Sequence, residues 1–195
     1  LIGIPALEYL TEQECLVFER ASPEKHEYYK GEIFNMSGAS RKHTVIESNI
    51  RGTLYNYLKG KKCREYGGNL RVNVNTESLY AYPDILVVCG EEKYMDDEFD
   101  TLTNPSIIFE ILSPSTSEFD KGLKFELYRA LESFKEYVLI DPNKIHIIHF
   151  QKNPDGSWLM KEYKSIEDMF TLVCIEMPLC LKDCYDGIDF TVSEK

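Results

Sequence analysis

Apolar and polar residues alternate along the chain in short periodic stretches. Residues 11–20 carry a helix signal: Thr11 can cap the first turn, and Glu14, three positions on, completes a capping box. Residues 32–37 follow Gly31 and read as a strand. From His43 to Leu58, apolar residues recur at helical spacing (Val45, Ile46, Ile50, Leu54, Leu58), and Gly60 ends the run. Residues 63–66 and 70–75 flank Gly67-Gly68, which predicts a hairpin. Its second arm, LRVNVN, alternates and should bury one face. Residues 84–89, DILVVC, are almost continuously apolar, the pattern of a strand covered on both faces. An acid-rich run, EEKYMDDEFD, follows and is expected to be a solvated, mobile loop. IIFEIL at 107–112 is a second central strand. A turn from Ser113 to Asp120 leads into a helix from Lys121 to Leu131. Strands are expected at 136–141, 145–151 and 157–163, the last two joined by an NPDG turn, with a short FTLVC strand and an acidic tail beyond.

Strand, helix and strand again from residue 107 to 141 form a βαβ unit, normally right-handed and parallel. The hairpins elsewhere make the sheet mixed, and the class is α/β. No repeat, linker or low-complexity tract divides the chain, so residues 1–195 are expected to form one domain.

Composition adds boundaries. Apolar residues make up 43% and charged residues 28%, an ordinary globular mixture. No apolar run approaches the ~20 residues that span a bilayer. The opening stretch turns acidic too soon for a signal peptide, so a cytoplasmic location is expected. Six cysteines, at 15, 63, 89, 174, 180 and 184, include no CxxC pair. Free thiols packed as small hydrophobes are expected, rather than a zinc site. The net charge of −11 counts against tight non-specific binding to nucleic acid, which relies on Lys and Arg. It does not exclude a nuclease, because a metal site itself needs carboxylates. No GxGxxG, P-loop or GxSxG pattern supports a small-molecule enzyme on another α/β fold. His146 and His149, three apart on a strand, lie on opposite faces and read as structural.

Glu110 carries the most information. It interrupts an apolar strand, on the face of Ile108 and Leu112, and a buried carboxylate needs a cation, a proton or a metal. Asp84 opens the other central strand, after Pro83. If the strands are neighbours the two acids meet, and a divalent cation would relieve their repulsion. A turn role for Asp84 and a Lys or Arg partner for Glu110 remain open. Asp120 and Lys124 are spaced i, i+4. Lys124 is either a surface partner of Asp120 or an ammonium reaching back toward the carboxylates.

Taken together, EKHEYYKGEIFNMSGASRKH (24–43), YPDILVV (82–88), FEILSPST (109–116) with Asp120, Lys124 and Tyr128, and EYVLIDP (136–142) resemble the Uma-type restriction-endonuclease-like family of the PD-(D/E)XK nuclease superfamily. The likeness spans residues 10–182. It implies a mixed central β-sheet flanked by α-helices, with an active site at one sheet edge. Asp84 corresponds to the motif aspartate and Glu110 to the second acid. The superfamily lysine is expected two residues after that acid, where this chain has Leu112; the resemblance points instead to Lys124 on the next helix, with Lys121 second. Glu27, placed at the first helix–strand junction, matches an additional acid near the metal. His43 matches a characteristic histidine that orients a phosphate or caps its helix. The implied chemistry is Mg²⁺-dependent (or Mn²⁺-dependent) hydrolysis of DNA. Asp84, Glu110 and the Ile111 carbonyl would be ligands, and a homodimer would cut two strands. The competing reading is a catalytically inactive PD-(D/E)XK fold that serves as an interaction or nucleic-acid-sensing module.

Overall fold

A computed structural model describes residues 9–192 apart from Ser37 and Ser115. Helix α1 (Glu12–Ala21) begins with the expected reciprocal capping box between Thr11 and Glu14. Strands β1 (His26–Tyr29) and β2 (Glu32–Asn35) form a hairpin. Its two turn residues, Lys30 and Gly31, both have positive φ (46° and 100°), as a tight primed turn requires. Helix α2 (Arg41–Leu58) starts two residues earlier than expected, because Ser40 is its N-cap and accepts from the His43 backbone N–H. His43 therefore does not cap the helix.

The strands that follow divide between two sheets. β3 (Cys63–Gly67) pairs antiparallel with β6 (Ile85–Cys89), while β4 (Arg71–Val74) pairs with β5 (Leu79–Ala81). The hairpin expected across Gly67-Gly68 is thus not formed. β4 is buried at all four positions, so it needs cover on both sides and takes a place inside the second sheet. The polar residues of LRVNVN do not face water: the Arg71 guanidinium donates to the Thr101 hydroxyl at 2.9 Å, and Asn73 donates to the Leu79 carbonyl at 3.2 Å. The acid-rich run is anchored rather than loose. Arg20 grips Asp96 at 2.6 Å and Asp100 at 2.8 Å, and the run ends in β7 (Thr101–Leu102), parallel to β4.

β8 (Ile107–Ile111) is central, antiparallel to β6 and parallel to β9 (Glu136–Ile140), as the βαβ reading requires. The crossover is shorter and more broken than a single helix over 121–131. It consists of α3 (Ser117–Phe119), a π-helical turn (Asp120–Lys124) and α4 (Phe125–Tyr128). β10 (Ile147–Lys152) and β11 (Trp158–Tyr163) complete the central sheet, whose order is β11-β10-β9-β8-β6-β3. The second sheet runs β2-β1-β5-β4-β7. β12 (Met169–Leu172) pairs with β13 (Met177–Cys180), a strand masked in the sequence by Pro178, and α5 (Leu181–Cys184) follows.

Side-chain alternation sorts these elements into layers. Odd-numbered Ile85, Val87, Ile107 and Phe109 pack on Ile46, Ile50, Leu54 and Leu58 of α2. Even-numbered Leu86, Val88 and Ile108 pack on Val72, Val74, Leu79 and Ala81 of the second sheet and on Leu127 and Tyr128 of α4. α1 covers the far side of the second sheet through Cys15 and Leu16. Cys63 and Cys89 stand opposite each other and are joined in a disulfide, which corrects the expectation of free thiols for these two; the other four are free. No helix among the described residues is long and apolar enough to cross a membrane.

Candidate active site

Glu110 lies on the even-numbered face of β8, between the two sheets, and is 4% exposed. Ile85 pairs with Phe109, so the next step of the same antiparallel register sets Asp84 against Glu110. Directly opposed residues point to the same face, and the two acids meet at one end of the central sheet. Asp84 is fixed from two sides: its Oδ2 accepts from the Ile111 N–H at 2.6 Å, and its Oδ1 lies 3.1 Å from His43 Nε2. The α2 N-cap sets where that ring arrives.

The second sheet contributes Glu27. It lies inside β1, not at a helix–strand junction; HEYY has no apolar alternation to reveal the strand. Tyr82 donates its backbone N–H to Glu27 Oε1 at 3.3 Å. Lys124 closes the cluster. Its Nζ is 2.8 Å from Glu27 Oε1, 2.9 Å from Glu110 Oε1 and 3.5 Å from Asp120 Oδ1. The side chain is buried, which rules out a mere surface pair with Asp120. The π-helical turn carries both Asp120 and Lys124, and such turns recur at functional sites. The Tyr137 hydroxyl holds the Asp120 carbonyl at 3.0 Å, and the Tyr128 hydroxyl approaches Glu110 Oε1 at 3.4 Å.

Three carboxylates surround the Lys124 ammonium and Asp84 adds a fourth acid beside Glu110, so a surplus of negative charge shapes the titration. Burial pushes the Glu110 carboxyl well above its usual range. Lys124 opposes this, and Asp120, Asp84 and Glu27 add to it. Burial alone would lower Lys124, but Glu110 and Glu27 outweigh it and hold the ammonium protonated. His43 is pulled down by burial, yet the hydrogen bond and charge of Asp84 raise it on balance.

The donor set suits a hard divalent cation. Among the described residues no group of three or more His, Cys, Asp or Glu forms a ready-made metal cage. Magnesium does not require one, since it commonly takes one or two carboxylates and keeps several waters. Asp84 and Glu110, opposed across β6 and β8 with an unbalanced negative charge around them, meet that requirement.

Asp84, Glu110, Lys124, Glu27 and His43, each picked out in the sequence, are brought together here, with the Ile111 backbone beside them. Lys121 is exposed and takes no part in this cluster. Asp120 as a fourth acid and the Tyr82 N–H escaped the sequence reading. The first looked like a helix partner, and a backbone donor leaves no signal in a sequence. His149 is structural as expected, buried with Nε2 2.7 Å from Glu136.

The family model Uma2, described as "Putative restriction endonuclease", matches residues 10–178, a span that includes every residue of this cluster. The chain belongs to the Uma2 family. Two Synechocystis relatives, both called uncharacterized proteins, run nearly its full length. One, slr1290, is 32% identical over 181 residues, 93% of this chain and 94% of the relative. The other, sll1609, is 34% identical over 162 residues, 83% of this chain and 92% of the relative. Among solved structures, "a putative nuclease belonging to DUF820" from Anabaena variabilis superposes with a TM-score of 0.70 at 20% identity, covering 90% of this chain and 97% of that one. That likeness supports the fold, restriction-endonuclease-like and mixed α/β; the Uma2 match supplies the nuclease-type family.

Proposed function

We propose that this Uma2 protein hydrolyses phosphodiester bonds in DNA with Mg²⁺ or Mn²⁺, at the site built on Asp84, Glu110 and Lys124. The observation that carries the reading is the Lys124 ammonium, buried between Glu27 and Glu110 beside Asp84. It supplies, from the following π-helical turn, the cation missing at Leu112 just after β8.

Asp84 and Glu110, with the Ile111 carbonyl, would hold the cation, which supplies Lewis-acid polarisation of the scissile phosphate. The protein's own groups do the rest. His43 and the Ile111 N–H orient the Asp84 carboxylate. Lys124 stands over the strand end, where its positive charge can stabilise the charge that builds on phosphorus oxygens. Glu27, held by the Tyr82 N–H, sets the direction of the Lys124 ammonium and offers an acceptor for the attacking water. Cutting both strands of a duplex calls for two such sites, and a two-fold pair of chains would supply them.

Plasmid nicking with Mg²⁺ or Mn²⁺ tests the reading. Wild type should convert supercoiled plasmid to open circles, while Asp84→Asn and Lys124→Ala should lose roughly a hundredfold or more of that rate, the scale of removing one transition-state contact. Equal behaviour of all three proteins would leave the alternative, a non-catalytic interaction module on the same fold.

A further inference from the structure

The outward side of α2 carries a groove of about 410 Å³, bordered by β3 at the edge of the central sheet. Arg51 lines it. Its Nε is 3.1 Å from Glu65 on β3, a side chain only 10% exposed, and its Nη1 is 3.6 Å from Glu47 one turn earlier on α2. The edge strand makes room for this guanidinium. A Cβ at Gly67 would stand 2.5 Å from Arg51 Nη1 and 2.7 Å from Cζ, so a larger residue there would push the guanidinium away from the strand. Gly67 pairs with Ile85, the residue after Asp84. At the groove's other end Thr44 follows His43, whose ring reaches the candidate metal ligand Asp84.

A structural ion pair would account for Arg51 and Glu65. It does not account for the groove wall. Gly52 sits in the interior of an 18-residue helix, where glycine costs about 1 kcal/mol relative to alanine. An added Cβ there would meet nothing within 4 Å, so packing does not demand the glycine. Its effect is to leave the groove open between Ser48 and Tyr55. Tyr55, one turn beyond Arg51, is 58% exposed and presents its side chain along the groove. The Arg51 fork, the exposed Ser48 hydroxyl and the Tyr55 ring, on the helix that brings His43 to Asp84, suit one chemical class: a nucleotide within a nucleic-acid strand.

We propose that this groove binds one nucleotide of the DNA strand flanking the scissile bond, its phosphate on the Arg51 fork and its base on Tyr55. The inference rests on the nuclease reading above and names the substrate contact next to that site. Glu65 keeps the fork in place through Nε. The longer Glu47 contact is the one the phosphate replaces.

Binding of a fluorescent DNA duplex with a single-stranded overhang, followed by anisotropy with Ca²⁺ in place of Mg²⁺, tests this on the full chain. Arg51→Ala should weaken binding about tenfold and lower the slope of log K against log salt by about one. Tyr55→Ala should weaken it by about tenfold with no change in slope. Gly52→Leu improves helix propensity, so it should melt no lower than wild type while filling the groove and weakening binding to a similar degree. Glu47→Gln should tighten binding. Wild-type affinity in Arg51→Ala, Tyr55→Ala and Gly52→Leu, from a protein that still binds and nicks DNA, overturns the groove and leaves the nuclease reading standing. A wild type that neither binds nor nicks DNA overturns both.

Discussion

Replacing Lys124 by methionine keeps the length of the side chain and removes its charge, so the consequence is electrostatic rather than a cavity. The ammonium is within 3.5 Å of three carboxylates, all buried or nearly so. Breaking a buried ion pair by deleting one partner costs about 3–5 kcal/mol, because the other charge is stranded. For a chain of this size each kcal/mol lowers the melting temperature by about 2–4 °C, so Lys124→Met should melt roughly 6–20 °C below wild type near neutral pH. The loss should also depend on pH in one direction. Glu110 already has a folded-state pKa raised above its unfolded value of 4.5, chiefly by burial. Such a group binds more protons folded than unfolded, so stability falls as pH rises from that value through the folded one. Without Lys124 the folded-state pKa of Glu110 climbs further, so the fall continues to higher pH, and the gap between variant and wild type should widen with pH and shrink in acid. Saturating Mg²⁺ or Mn²⁺ should narrow it too, by binding only the folded acids. Differential scanning fluorimetry across pH, with and without cation, reads all three effects. A variant that melts within about 2 °C of wild type at every pH, and gains nothing from cation, would refute the view that Lys124 is the counter-ion of this cluster.

Three further outcomes follow from other parts of the molecule. The Asp84 hydrogen bond overcomes the effect of burial and raises His43 above its ordinary value of 6.5. Its stabilising contribution is complete below that value and is lost as pH rises through the folded one; NMR titration of the ring should show a raised midpoint that drops in Asp84→Asn. The Cys63–Cys89 disulfide closes a loop of 26 residues containing β4 and β5, worth roughly 3 kcal/mol by loop closure. A reducing agent should accordingly lower the melting temperature by roughly 6–12 °C, and Cys63→Ser/Cys89→Ser should melt alike with or without it. Arg20→Ala should release the acid-rich segment 91–100 to limited proteolysis while moving the melting temperature by less than about 3 °C, since its ion pairs are partly exposed.

What the sequence revealed, and what it hid, divides along the range of the interactions. Continuous apolar runs identified β6 and β8 because strands covered on both faces have little choice of composition. Glu110 stood out for the same reason, as the one residue in IIFEIL that such a strand should not hold. The capping box of α1 was legible because all its parts lie within four residues. Pairing across Gly67-Gly68 was not. A local turn signal competed with the need to bury β4 on both sides, and the tertiary demand won. β1 stayed hidden because HEYY carries polar residues on both faces, and those residues are polar because of where they point. His26 bonds to buried Glu19, and Glu27 bonds to Lys124, 97 positions away. A strand that serves a polar site therefore loses the very alternation by which strands are recognised. The same reasoning extends to the groove on α2. Gly52 and Gly67 weaken any pattern-based reading of their elements, and in both places the missing side chain leaves space next to Arg51. Local rules fail at Glu27, Glu110, Gly52 and Gly67, and all four gather at one end of the central sheet or along the helix that covers it, where a natural sequence is expected to set foldability aside for function.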